Sequence, residues 1–183
     1  TVSILYNRME VKFRPTNPLL ADYLRYLFPP LPDGRLKVKS SHDVGRLIIS
    51  YCRASPTPVD TDRDDMLTFV LPKTHITQNF THKFLYIPAI DMNRINLALQ
   101  AVFNLDFALF MQKGLAAEFS KTELIDAFIA SRGLITTDNF EALHKKEYRL
   151  MQRKKESIFH KLYRKSSYIQ ETIDFSVKKK QQL

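Results

Sequence analysis

Residues 91–113 read DMNRINLALQAVFNLDFALFMQK, and in helical geometry their apolar side chains point in nearly every direction. One side carries Ile95, Leu99, Val102, Phe103 and Phe110, while another carries Leu97, Ala101, Leu105 and Ala108. A helix that is apolar nearly all round usually lies at the centre of a fold. We therefore expect a central helix over 91–113 that ends at Gly114.

Two further helices follow this central one. Ser120 and Glu123 form a capping-box pattern and Gly133 a stop, which predicts a helix over 121–131. Asp138 and Glu141 repeat the starting pattern, and the sequence then has no breaker until about 166. A helix of that extent is ~42 Å long at 1.5 Å per residue. Its second half is expected to project from the domain or to lie along a partner.

The first half of the chain mixes strand and helix signals. Period-two alternation predicts a strand or a hairpin in residues 2–14 and a strand over 35–39. Residues 66–72 and 83–88 are also predicted to be strands, and the strand signal of each ends at a proline. Asn17 followed by Pro18 starts a short helix, Ser41 or Asp43 can cap a second one over 42–53, and 54–65 is expected to be an exposed loop. The fold class is therefore α+β: mixed strands and short helices in the N-terminal half, and helices with a long basic helix in the C-terminal half.

Size and composition suit one core. With 183 residues, 44% of them hydrophobic, the chain can fill one domain and is short for two. We expect a single α+β domain over 1–143, with strands in 1–90 and helices in 91–143, followed by a basic helical arm and tail over 144–183. Cys52 is the only cysteine, and no uninterrupted apolar run approaches the ~18 to 20 residues of a membrane span. These features predict a cytoplasmic protein without a membrane partner.

The excess positive charge is confined to the end of the chain. Residues 1–143 contain 16 Lys and Arg against 15 Asp and Glu, whereas residues 144–183 contain 12 against 4. Because a cluster of cations on one element attracts polyanions, this distribution predicts nucleic-acid binding, with DNA favoured over RNA. A solvated helix face is the alternative, as is an interaction module that uses the long helix for self-association or for an acidic partner.

The candidate contacts to nucleic acid lie on the long helix and on one strand. The helix supplies Lys145, Lys146, Arg149, Arg153, Lys154, Lys155, Lys161, Arg164 and Lys165, and the strand supplies Arg35, Lys37 and Lys39 as a secondary basic surface. A short capped helix, Gly133 and a basic helix follow the order of a helix-turn-helix motif. The turn is longer than that motif allows, so an ordinary helical hairpin stays open.

Signals for catalysis, cofactors and metals are weak. The four glycines form no phosphate-binding or dinucleotide pattern, and no nucleophile-elbow or zinc-helix motif occurs. The acidic run 60–65 resembles a calcium loop, but Asp65 stands where that loop needs Gly and Leu71 where it needs Glu. We expect a non-enzymatic protein without cofactor or metal. Asp106, on the apolar central helix, is expected to pair with an arginine or a backbone donor.

Overall fold

The computed structural model describes residues 9–59, 65–75, 77–80, 83–135 and 139–153. The chain divides into two units, residues 1–140 and 141–183. In the first unit the strands are β1 (Glu10–Phe13), β2 (Leu36–Lys37), β3 (Arg53–Ser55), β4 (Leu67–Val70) and β5 (Phe84–Tyr86). The helices are α1 (Pro18–Leu27), α2 (Asp43–Tyr51), α3 (Ala89–Ala116), α4 (Lys121–Arg132) and α5 (Asn139–Arg153), the last lying almost wholly in the second unit.

The strands form two small sheets, which confirms the predicted α+β class. In the first sheet β4 is central, antiparallel to β1 and parallel to β2. The second sheet pairs β3 with β5. The alternation in β1 is confirmed, because Val11 and Phe13 are buried against the core while their neighbours are not. Residues 1–8 lie outside the described part of the chain.

Side-chain N-caps mark the starts of the first two helices. Asn17 caps α1, since its side-chain oxygen accepts a bond from the backbone N–H of Leu20 at 2.9 Å, as predicted. The predicted cap of α2 was wrong: His42 caps that helix through Nδ1, which accepts from the backbone N–H of Val44 at 3.2 Å. The expected loop over 54–65 was also wrong at its start, because β3 pairs there with β5.

Helix α3 is longer than the sequence predicted, and Gly114 lies inside it. A Cβ atom built on Gly114 would stand 2.0 Å from Cδ2 of Leu124, so the missing side chain lets α4 pack closely on α3. Gly114 therefore serves helix packing and does not terminate the helix, which continues to Ala116.

One face of α3 forms the core. Ile95, Leu99, Phe103 and Phe107 are fully buried, and α1, α2 and α4 all pack on this helix. Phe107 and Phe128 of α4 meet edge to face with ring centroids 5.1 Å apart, a favourable aromatic geometry. The predicted central position of this helix is confirmed for the packed face, whereas the packing helices leave a second apolar face of α3 exposed.

Local signals set the ends of α4. Ser120 Oγ accepts from the N–H of Glu123, and Glu123 Oε2 accepts from the N–H of Ser120 at 2.9 Å, which confirms the capping box. Gly133 ends the helix in the left-handed conformation at φ 61°. Helix α5 is described to Arg153, and its predicted continuation to about 166 lies outside the described residues.

Candidate functional site

Helix α5 carries four of the basic residues predicted to contact nucleic acid: Lys145, Lys146, Arg149 and Arg153. The other five predicted positions on the long helix lie outside the described residues: Lys154, Lys155, Lys161, Arg164 and Lys165. Helix α5 thus carries the first four of the nine positions predicted on the long helix.

Lys145 and Arg149 are both exposed and follow one another at helical i, i+4 spacing. One helical turn separates them, ~6 Å along the axis, so the two cations occupy neighbouring places on one face. Lys145 Nζ lies 3.6 Å from Glu141 Oε2, but both side chains are largely exposed, at 72% and 80%. A surface pair of this kind contributes little and leaves Lys145 available to a stronger anion.

Lys146 differs from its neighbours. It is half-buried, and burial lowers the pKa of its ammonium group to about 8. Leu143 and Glu147 are buried, so α5 has a buried face and an exposed face. Because Lys146 loses part of its charge near pH 8, it is a weaker candidate for phosphate contact than Lys145 or Arg149.

In the secondary basic strand, Arg35 is neutralised by ion pairs, whereas Lys37 and Lys39 are exposed. Arg35 forms ion pairs with Asp33 and Glu10, and its side chain is only 21% exposed. The bond from Arg35 lowers the pKa of Asp33 to about 2, so this carboxylate stays charged. Lys37 and Lys39 are exposed while Leu36 and Val38 are buried, as the alternation predicted. Arg35 is therefore poorly placed for a phosphate, and Lys37 and Lys39 carry what positive surface the strand offers.

Asp106 pairs with Arg132, in agreement with the predicted arginine or backbone donor. Its Oδ1 and Oδ2 accept bonds from Nη2 and Nε of Arg132 at 2.9 and 3.0 Å, and Oδ2 also accepts from the hydroxyl of Tyr23 at 3.1 Å. Burial acts to raise the pKa of Asp106, but the bonds and charge of Arg132 outweigh it and lower that pKa. The pKa of Tyr23 is raised, first by burial and then by the charge of Asp106. This cluster ties α1, α3 and α4 together, and its role is structural.

A cavity of about 1030 Å³ lies where α1 and α3 begin, lined by Asn17, Pro88 and their neighbours. Asn96, buried in its wall, accepts from the N–H of Thr16 and donates to the carbonyl oxygen of Arg14. Asp22, also buried there, accepts from Arg25 and from the backbone N–H of Ile135. These two buried polar groups bond within the protein and are not directed at a ligand.

Nucleophile and metal chemistry find little support in the part of the chain that the structure describes. Burial raises the pKa of the Cys52 thiol to about 12, which removes its reactivity at neutral pH. Among the described residues, no three His, Cys, Asp or Glu side chains are grouped so that they could hold a metal ion. Asp65, the last residue of the acidic run, forms an ion pair with Arg14.

The sequence interpretation missed one surface, the exposed apolar face of α3. Leu97, Ala101, Leu105 and Leu109 occupy every fourth position and are all exposed. The signal was the excess of apolar residues, since a helix with one packed face needs only one apolar stripe. By length and composition α3 also passes as a membrane span, as core helices of soluble proteins do.

The chain matches no protein-family model, no curated protein and no solved structure.

Proposed function

We propose that this protein is a non-enzymatic nucleic-acid-binding protein that contacts phosphates through the basic residues of α5 and the chain that follows it. The observation that carries the proposal is the place of the charge. The excess of Lys and Arg over Asp and Glu is eight in residues 144–183 and one in residues 1–143. In α5, Lys145 and Arg149 are exposed on the helix that opens this basic segment.

The helix supports the proposal because it fixes where its cations lie. A cation held on an ordered backbone loses less conformational entropy on binding than one on an unstructured chain. Each phosphate that a cation neutralises releases condensed counterions, which drives binding at low salt. DNA is favoured over RNA because a basic helix such as α5 fits the major groove of a DNA duplex, whereas the major groove of an RNA helix is too deep and narrow for side chains to read.

Paired charge removals test the proposal. The variant K145A/R149A removes two exposed cations from α5, and K73A/K83A removes two exposed lysines from the connection between β4 and β5. Fluorescence anisotropy with a labelled DNA duplex is expected to show about tenfold weaker binding for K145A/R149A and little change for K73A/K83A. The plot of log K against log salt should also become less steep by about two for K145A/R149A, because each lost phosphate contact removes about 0.9 from the magnitude of the slope.

The variant K37A/K39A tests whether the secondary basic strand contributes to DNA binding. Its loss of affinity is expected to be smaller than that of K145A/R149A. Equal losses from K145A/R149A and K73A/K83A would mean that charge acts diffusely and that α5 has no special part. Unchanged binding in K145A/R149A would contradict the proposal and favour a protein partner for the long helix.

A further inference from the structure

Helix α3 presents an uninterrupted apolar ridge to solvent. Every fourth residue from 93 to 113 is exposed, and these residues are Asn93, Leu97, Ala101, Leu105, Leu109 and Lys113. Leu97 is 73% exposed, Leu105 54% and Leu109 46%. We call Leu97, Ala101, Leu105 and Leu109 the α3 ridge; it is ~18 Å long at 1.5 Å per residue.

Single exposed leucines are common on protein surfaces, but a continuous row is not. Moving a leucine side chain from water into an apolar contact favours association. Leu97, Leu105 and Leu109 thus leave apolar surface unburied along a single row, and a single row suits one further helix.

The geometry of the ridge suits another helix. Residues spaced by four form the ridges that pack into the grooves of a neighbouring helix, at a crossing angle of about −50° or +20°. Ala101 lies within the ridge, and a small side chain there lets a second helix approach closely. Gln100 donates to Asn104 at 2.8 Å, and these two amides form a polar border along the side.

The charges at the two ends of the ridge indicate what kind of helix it takes. Arg94 precedes the ridge and Lys113 ends its row, ~28 Å apart. Asp91 faces two arginines, at 2.9 Å from Arg94 and 3.9 Å from Arg53, so the group keeps a net positive charge. Both ends of the ridge are therefore positive.

A second copy of the chain fits this charge pattern poorly. An antiparallel pairing of two ridges places Arg94 of one copy near Lys113 of the other, and a parallel pairing places each cation near its own counterpart. Like charges that face each other across an interface destabilise the complex, so this charge pattern disfavours pairing of two α3 ridges. An occupant with acidic residues at both ends of its apolar face satisfies both cations.

We propose that the α3 ridge binds an amphipathic helix of another protein, with an apolar stripe flanked at both ends by acidic residues. This interaction is independent of the nucleic-acid contacts proposed for α5. It adds a protein-docking surface to the helix whose opposite face forms the core.

Two synthetic helical peptides test this proposal against the full chain. Both carry the same leucine stripe over about six helical turns, and one has glutamates at its ends where the other has lysines. Fluorescence anisotropy is expected to show that the glutamate peptide binds at least tenfold more tightly. The variant L97Q/L105Q should weaken that binding at least tenfold, and V59Q/I135Q, which changes two exposed apolar residues elsewhere, should not.

K145A/R149A separates this proposal from the first, because it should weaken DNA binding and leave glutamate-peptide binding unchanged. Equal affinity for the two peptides, or no effect of L97Q/L105Q, would overturn the proposed docking surface. A dimer in sedimentation that L97Q/L105Q abolishes would assign the ridge to a second copy. Co-sedimentation with anionic phospholipid vesicles that the same variant abolishes would assign the ridge to a lipid surface. Either result would overturn the proposal.

Discussion

At the scale of single residues, Asp106 and Arg132 stabilise the helical half of the first unit. Arg132 binds both oxygens of Asp106, and its guanidinium lies 4.9 Å from the ring centroid of Tyr26 and 5.2 Å from that of Phe128. Both side chains of the pair are mostly buried, which protects their charges from screening by salt. Removing one partner therefore leaves the other as a poorly solvated charge.

We predict that D106N lowers the free energy of unfolding by about 1 to 3 kcal/mol at pH 7, the usual cost of leaving a buried hydrogen-bond partner unsatisfied. Urea denaturation followed by circular dichroism measures this loss. Y23F removes only the hydroxyl bond to Asp106 and should cost less. D106N with the stability of the unmodified chain would show that Arg132 finds an equal partner elsewhere.

The same pair gives a pH dependence with a definite sign. The folded protein holds the pKa of Asp106 below its ordinary value of about 3.9, so its stabilisation is complete above that pH. It is lost as the pH falls through the lowered folded-state pKa. The stability difference between the unmodified chain and D106N should therefore narrow below about pH 4.

At the scale of elements, α2 depends on a residue without a side chain. A Cβ atom built on Gly45 would stand 2.1 Å from the backbone oxygen of Lys39, so the start of α2 packs directly on the chain that leaves β2. A backbone atom cannot turn aside as the end of a side chain can. Gly45 thus fixes α2 against the segment that carries Lys37 and Lys39.

We predict that G45A destabilises the protein by about 1 to 3 kcal/mol, the usual cost of overpacking. Alanine also has a higher helix propensity than glycine, by up to about 1 kcal/mol, and this effect opposes the overpacking. The sign of the change in the free energy of unfolding therefore shows which of the two effects dominates. S50A, at an exposed position of the same helix, is the control and should change stability by less than about 0.5 kcal/mol. A stabilised G45A would show that the two segments separate easily.

Elements were predictable from sequence where a local signal set them. Asn17, the capping box of Ser120 and Glu123, and Gly133 act within one or two turns, and the structure confirms all three. Gly114 and the solvent face of α3 were not predictable, because both depend on which helices pack on α3 and from which side. The pairing of Asp106 with an arginine was predicted correctly, because a carboxylate among apolar residues requires a partner.

At the scale of the whole chain, charge and core occupy different parts of the sequence. The first unit contains the sheets and the aromatic core, and its formal charges nearly balance, whereas the basic residues concentrate after residue 143. The sequence alone revealed this division, since counting charges needs no coordinates. The neutralisation of Arg35 and the partial burial of Lys146 needed coordinates, because each depends on side chains that come together only in the fold.

The most direct measurement of the central claim is duplex DNA binding by the full chain over a range of salt concentrations. If the basic segment neutralises about five phosphates, log K should fall with log salt at a slope of roughly −4 to −5. No detectable binding to duplex DNA, single-stranded DNA or RNA at low salt would contradict the account.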